Sequence, residues 1–408
     1  MILSIAWKNI WRNKTRSSVL IASIALGMAG GLFICALSLG MIQQRIDAAI
    51  RNETAHVQMH HPHFLVEKEM EDTLFSPLEK LAFIYSLKEV KAATARIKLT
   101  GMIATATKGA GVTIMGIDPV REKEVSGIHA CISEGAGSYL DATTTPNAIV
   151  IGKKLAEELK VKLRSKVILT FQASNGDLVQ AAFKITGLYK TSNTPYDEVH
   201  VFVRHSDISR LAGYNSRKAH EIAIVLKDDR YTLHVKDTLA GRYPEATTQS
   251  WKEVLPEVGM ISEATTISLY VIMIIFLLGL CFGIINTMLM AIMERTRELG
   301  MLMAVGMSRR RVFYMIMAET VLLSLTGALI GIGAGLGITT WYFHRGFDLS
   351  RFASGLEQVG YDAVVYPFLT PDFIAGIILL VVFTGLFSAV IPARRALRLK
   401  PAEAIRKG

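Results

Sequence analysis

Cysteine is scarce in this 408-residue chain: Cys35, Cys131 and Cys281 stand far apart, two of them inside apolar runs. Thiols so placed behave as small hydrophobes, which excludes a disulfide framework and a cysteine-based zinc site. The chain has no Gly-x-x-x-x-Gly-Lys-Ser/Thr, so it offers no backbone cradle and lysine for nucleotide phosphates. It also lacks His-Glu-x-x-His, a defensible serine, histidine and aspartate arrangement, internal repeats and low-complexity tracts. Charged residues are 20% of the chain against 51% hydrophobic, and mean hydropathy is +0.35. That is too apolar for an ordinary soluble protein and too charged for a purely intramembrane bundle.

What is present is four long apolar runs, roughly Ser17 to Ile42, Thr265 to Met293, Val312 to Tyr342 and Phe373 to Ile391. Each is long enough to span a bilayer as a helix. The first follows Lys8, Arg12, Lys14 and Arg16 as a signal peptide would, but it exceeds a signal core of about 7 to 15 residues, so it reads as an uncleaved anchor. The net charge of +10 is concentrated at run ends, which is a membrane-topology signal and gives no reason to expect nucleic acid. Basic residues crowd the N-terminal tail, the second-to-third connection (Arg295, Arg297, Arg309, Arg310, Arg311) and the C-terminal tail. The third-to-fourth connection holds only Arg345 and Arg351. Positive-inside reasoning therefore places both termini in the cytoplasm and residues 43–264 outside.

That inserted stretch is large enough for its own core. Alternation and turn residues predict strands at His56 to His60, Ala95 to Thr105, Thr113 to Ile117, Ala148 to Gly152, Lys166 to Ala173, Leu178 to Tyr189, Glu198 to Val203 and His220 to Leu226. The turn Ser174-Asn175-Gly176-Asp177 joins one pair as a hairpin. Helices are expected at Lys153 to Leu159, Ser206 to Ala212 and Arg230 to Leu239. The fold class is thus an α-helical membrane protein with four transmembrane helices and a large inserted extracytoplasmic α/β domain.

The second-to-third connection carries Glu294-Arg295-Thr296-Arg297-Glu298-Leu299-Gly300-Met301-Leu302-Met303-Ala304-Val305-Gly306. A loop that merely returns the chain needs no Leu299, Leu302 and Val305 on a polar background, so these positions suggest docking. The pattern Glu-Arg-x-x-Glu-x-Gly-x-Leu-x-Ala-x-Gly resembles the segment after the second span of FtsX-like permeases, the superfamily that includes LolC and LolE and the MacB exporters. Pro392-Ala393-Arg394-Arg395-Ala396 and Leu399-Lys400-Pro401-Ala402-Glu403-Ala404-Ile405-Arg406 resemble the family's closing motif, and Ala6-Trp7-Lys8-Asn9-Ile10-Trp11-Arg12 resembles its interfacial helix. Thr54-Ala55-His56-Val57-Gln58-Met59-His60 looks LolE-like, and the chain is most similar to the LolC/LolE lipoprotein-releasing kind, which implies release of lipoproteins from the inner membrane; the alternatives are MacB-like export of peptides, drugs or toxins, FtsX-like regulation of envelope enzymes without transport, and, in a different class, a membrane-anchored envelope hydrolase.

The resemblance implies a permease that binds no cofactor and is no enzyme itself, with ATP and Mg entering through a separate dimer of ABC ATPase subunits. It implies that residues 294–311 act as a coupling helix, with Glu294, Arg295, Arg297, Glu298, Gly300, Leu302, Ala304 and Gly306 as the coupling residues. Further partners would be a second copy or a related permease, a lipoprotein or other envelope substrate, and membrane lipid, in the inner membrane. The resulting partition is a cytoplasmic interfacial helix at 1–16, spans at 17–42, 265–293, 312–342 and 373–391, a short outer loop at 343–372 and a cytoplasmic tail at 392–408.

Gly327, Gly331 and Gly335 recur every fourth residue, a face that lets helices approach closely in lipid, within one chain or between two. Glu319 lies inside the third run, where a carboxylate must find protein, water or the membrane surface. His56, His60, His61 and His63 have weak metal spacing and are expected to be structural or on the surface, so neither catalytic nor metal residues are assigned. Pro401 to Arg406 is a short basic helix by propensity.

Overall fold

A computed structural model describes residues 2–64, 71–142, 144–213 and 218–397; the closing motif beyond residue 397 and the Pro401 helix lie outside them. The chain divides into two compact units, one of residues 1–42, 262–348 and 364–408, the other of residues 43–261 and 349–363.

The first unit is helical. An amphipathic helix, Ile2–Arg12, buries Ala6 and Ile10 and leaves Trp7 and Trp11 outward. Among the described residues four further helices are long and apolar enough to cross a membrane: Lys14–Ala48, continued by the π-helical turn Ala49–Thr54, then Pro256–Glu294, Arg309–Arg345 and Pro371–Leu397. Each outruns its apolar window, because backbone hydrogen bonding continues a helix into polar sequence as readily as into apolar sequence. At 1.5 Å per residue the second is about 58 Å long, well beyond a hydrocarbon core of about 30 Å.

The glycine face of the third spanning helix finds its use within the chain. A Cβ on Gly331 would lie 2.7 Å from the Ala25 carbonyl and from the Met28 Cβ, and one on Gly327 would lie 2.9 Å from Ile24. Gly335 stands against Ala29 in the same way, whereas Gly333 and Gly337 face open space. The seam therefore sets glycines of the third helix against Ile24, Ala25, Met28 and Ala29 of the first, and its packing comes from close backbone approach. Elsewhere Met28, Leu269, Met273, Leu277, Phe373 and Ile377 form the central apolar layer.

The second unit is α/β and carries nine strands among its described residues. Six of them close on themselves: β2 (Val90–Ala104), β3 (Gly109–Ile117), β7 (His200–Arg204), β4 (Ala148–Gly152), β6 (Leu178–Tyr189) and β5 (Lys166–Gln172) pair in that order, and β5 returns to β2. Alternate residues such as Ile97, Leu99, Val167, Leu169, Phe171, Phe183 and Ile185 fill the interior. The N-terminal half of β2 leaves this ring and pairs β8 (Glu221–Leu226), which continues to β1 (Val57–His60) and β9 (Thr247–Ser250) in an antiparallel sheet. Helices Pro77–Ser86 and Thr232–Arg242 cover one face of that sheet with Leu81, Ile84, Val235 and Leu239.

Arg96 sits where β2 passes from one sheet to the other. Its guanidinium holds Glu122 at 2.6 and 3.1 Å and Glu221 at 2.8 Å, all with side chains 5% exposed or less. Burial pushes Glu122 up despite Arg96. Glu221 feels the same burial, but Lys98, Arg96 and His60 outweigh it and hold that carboxyl below its usual range.

Three expectations need correction. Glu198 and Val199 end a helix, Thr194–Val199, and the strand begins only at His200, because Asn193 caps the helix through Tyr196 N–H and Pro195 sits in its first turn. The expected outer loop 343–372 is divided: residues 349–363 belong to the inserted unit, held by Lys190 Nζ to Glu357 at 2.8 Å, while Phe347–Asp348 pairs with Val364–Val365 in the helical unit. The first stretch of the inserted unit ends at residue 261, short of the expected 264, and the second spanning helix already starts within it at Pro256.

Candidate docking helix and the ion pairs beneath it

The second spanning helix ends at Glu294, Arg295 breaks the helical backbone at φ −100° and ψ 15°, and a short helix runs Thr296–Ala304. Gly306, at φ +105°, makes the turn into the third spanning helix, a conformation in which a side chain is strained. The short helix is amphipathic. Leu299 and Gly300 are buried, and Leu299 packs with Ile292, Val312, Met315, Ile316 and Ala393. This corrects its reading as a docking position: three residues before Leu302, it faces the bundle.

Leu302, Met301 and Val305 stay exposed, Val305 at 89%, with Arg297, Ala304 and Gly306 beside them. Together they form an exposed apolar face on and just beyond a nine-residue helix.

The charges of the motif turn inward. Both oxygens of Glu298 lie 2.5 to 2.6 Å from Arg12 Nη2, and Glu298 also accepts from Arg295 Nε at 3.3 Å. Arg295 Nη1 reaches Glu319 Oε1 at 3.0 Å, Asn9 is a further side-chain partner of Glu319, and Arg16 pairs with Glu294. Glu319 thus faces protein, buried and paired. Three arginines meet three glutamates here, so Arg297 is the motif cation left to the surface. Nothing in the sequence around residue 298 signals Arg12, which lies 286 positions away.

Three of the four histidines have neighbours close by. His56 Nδ1 accepts from the Leu226 amide at 3.3 Å, His60 Nε2 meets Gln58 at 2.9 Å, and His61 pairs with Asp72 at 2.9 Å. Burial pushes His60 down to about 4. Among the described residues no three His, Cys, Asp or Glu side chains converge on a metal position. A cavity of about 590 Å³ in the inserted unit is lined by Asp47, Arg51, Cys131, Lys190, Glu357 and Asp362, with both charge signs represented. Burial raises the Cys131 thiol to about 11.

Comparison with known proteins shows the family. The MacB-like periplasmic core domain matches residues 17–240, more than half of the chain, and the FtsX-like permease C-terminal region matches residues 270–401. The lipoprotein-releasing system transmembrane protein LolC of Neisseria meningitidis is 22% identical over 404 residues, covering 95% of this chain and 93% of its own length. A macrolide export ATP-binding/permease protein MacB of Chlorobium luteolum is 36% identical over 124 residues, 30% of this chain but only 16% of that protein. The chain therefore spans a small part of the MacB relatives it matches. The periplasmic region of MacB from Actinobacillus actinomycetemcomitans aligns with 53% of this chain and 98% of its own, at 11% identity and a TM-score of 0.37.

Proposed function

The chain belongs to the permease family that joins a MacB-like periplasmic core domain to an FtsX-like C-terminal region, and from that premise we propose that it is the membrane subunit of an ABC-type mechanotransmission complex. A separate dimer of ABC ATPase subunits, carrying ATP and Mg, docks on Thr296–Ala304 through Met301, Leu302 and Val305, with Arg297, Ala304 and Gly306 at the edge of the contact. The observation that carries this reading is the exposed apolar side of a helix whose other side, Leu299 and Gly300, is already buried.

In this reading both termini and the docking helix are cytoplasmic, in the inner membrane, and the α/β unit lies outside. A second copy or a related permease faces the second ATPase. Nucleotide-driven movement of the docking helices tilts the long first and second helices and moves the outside domains, extracting or expelling a substrate already outside the membrane or in its outer leaflet. No continuous channel is needed.

The substrate we propose is a lipoprotein released from the inner membrane, because the alignment with a LolC protein runs nearly end to end in both chains. A second reading is export of a peptide, drug or toxin, favoured by the higher local identity to MacB. The test of docking is co-purification of the candidate ATPase with the wild-type chain and with Leu302→Asp in nanodiscs. Recovery with wild type alone supports the reading; equal recovery, or none with wild type, overturns it. Release of a reconstituted lipoprotein on ATP addition separates the two substrates.

A further inference from the structure

We infer that Arg295 is the pivot of the transmission: a positioning residue that ties the docking helix to the third spanning helix. This rests on the docking reading above and adds the path by which a push leaves the helix. Arg295 is the single residue between two helices, so rotation of Thr296–Ala304 against Pro256–Glu294 takes place about its backbone. Its side chain reaches across that joint in two directions, Nε to Glu298 on the docking helix and Nη1 to Glu319 on the third spanning helix.

The surroundings make the second contact selective. Glu319 is 8% exposed inside an apolar helix, and the space around it, lined by Met288, Ile292, Leu299, Met315 and Ile316, is about 10 Å³. That is at the limit for a single water, so the carboxylate depends on Arg295 and Asn9. Glu298 in turn is held from the other side by Arg12. A displacement of the docking helix is thereby shared between the interfacial helix and the third spanning helix, rather than absorbed by a free loop. The pattern also assigns the motif glutamate a role within the chain, leaving the apolar face and Arg297 to meet the partner.

A buried pair can be replaced by apolar residues of similar volume without loss of fold, whereas removing one partner leaves an uncompensated charge. The informative variant is therefore Arg295→Met with Glu319→Met. The full chain is placed in nanodiscs with its ATPase bound, and deuterium uptake over residues 309–320 is compared with and without a non-hydrolysable ATP analogue. Wild type is expected to show a nucleotide-dependent change in uptake. The double variant is expected to recover the ATPase as wild type does, to melt close to wild type, and to lose that change, and Arg295→Lys is expected to restore part of it.

A double variant that keeps the full nucleotide response makes the pair structural and overturns the inference. So does a wild type with no response, or loss of ATPase recovery in Arg295→Met that Glu319→Met does not share, which would make Arg295 a direct contact. Failure of wild type to recover any ATPase is the separate result that brings down the docking reading itself.

Discussion

The chain holds two clusters of opposed charge, and they are built differently. In the inserted unit Arg96, Glu122 and Glu221 are all almost fully buried, supplied by a strand, a helix and a second strand that meet where β2 changes sheets. In the helical unit the cluster is graded: Arg12 and Glu298 side chains are 55% and 42% exposed, Arg295 21%, Glu319 11%. The first is a lock, since no member can leave without stranding another in a dry interior. The second loosens toward solvent, so its outer pair can exchange partners at little cost while its inner pair cannot. Under the proposed mechanism the two clusters have complementary uses, a stiff part to be moved and a joint that yields at one end.

Breaking the lock gives the largest expected effect. Arg96→Met alone should destabilise the inserted unit by about 3–5 kcal/mol, the range for a buried pair that loses one partner. Hydrogen exchange over Val90–Ala104 and Glu221–Leu226 in the solubilised chain reads it. Adding Glu122→Leu and Glu221→Leu should recover most of that protection, and no recovery would mean that the charges hold the sheets together by more than their pairing.

Acid sharpens the same comparison. His60 lies directly across from Glu221, and Arg96 lies across from Glu221 on its other side. Burial lowers the imidazole from 6.5 to about 4, Glu221 opposing and Lys98 and Arg96 adding to the effect. Between those values the unfolded chain takes a proton that the folded chain refuses, so this stability is complete above about pH 6.5 and is lost as pH falls toward about 4, up to about 3 kcal/mol. A pH series of exchange over β1 and β8 should show the loss, and His60→Gln should flatten it.

Packing in the helical unit should respond next. Gly331→Ala places a methyl against Ala25 and Met28 and should cost about 1–3 kcal/mol, while Gly333→Ala, with nothing within 4 Å, should be neutral or slightly favourable. Melting temperatures of the two variants in one detergent decide it. The smallest effect is expected at the open end of the graded cluster. Arg12→Ala should change stability by less than about 1 kcal/mol, and high salt should erase even that.

Much of this architecture is legible in the sequence because it rests on local signals. Length and apolarity mark the four helices, and Asn175-Gly176 marks the hairpin between β5 and β6, where Gly176 adopts φ +86°. What is not legible depends on distant partners. β9 is Thr-Thr-Gln-Ser, with no apolar alternation, and exists because β1 supplies a ladder. The docking motif shows the same division: its amphipathic character reads directly from residues 294–306, but which face is outward does not. Leu299 and Leu302 look alike in the pattern, and only the positions of Val312 and Met315 decide that the first is buried.

The most direct measurement of the central claim is site-specific photocrosslinking from the docking helix in membranes containing the ATPase. A crosslinker at Val305 or Leu302 should capture the ATPase, while one at Leu299 should capture only this chain. Capture of the ATPase from position 299, or from none of the three, would contradict docking through the exposed face.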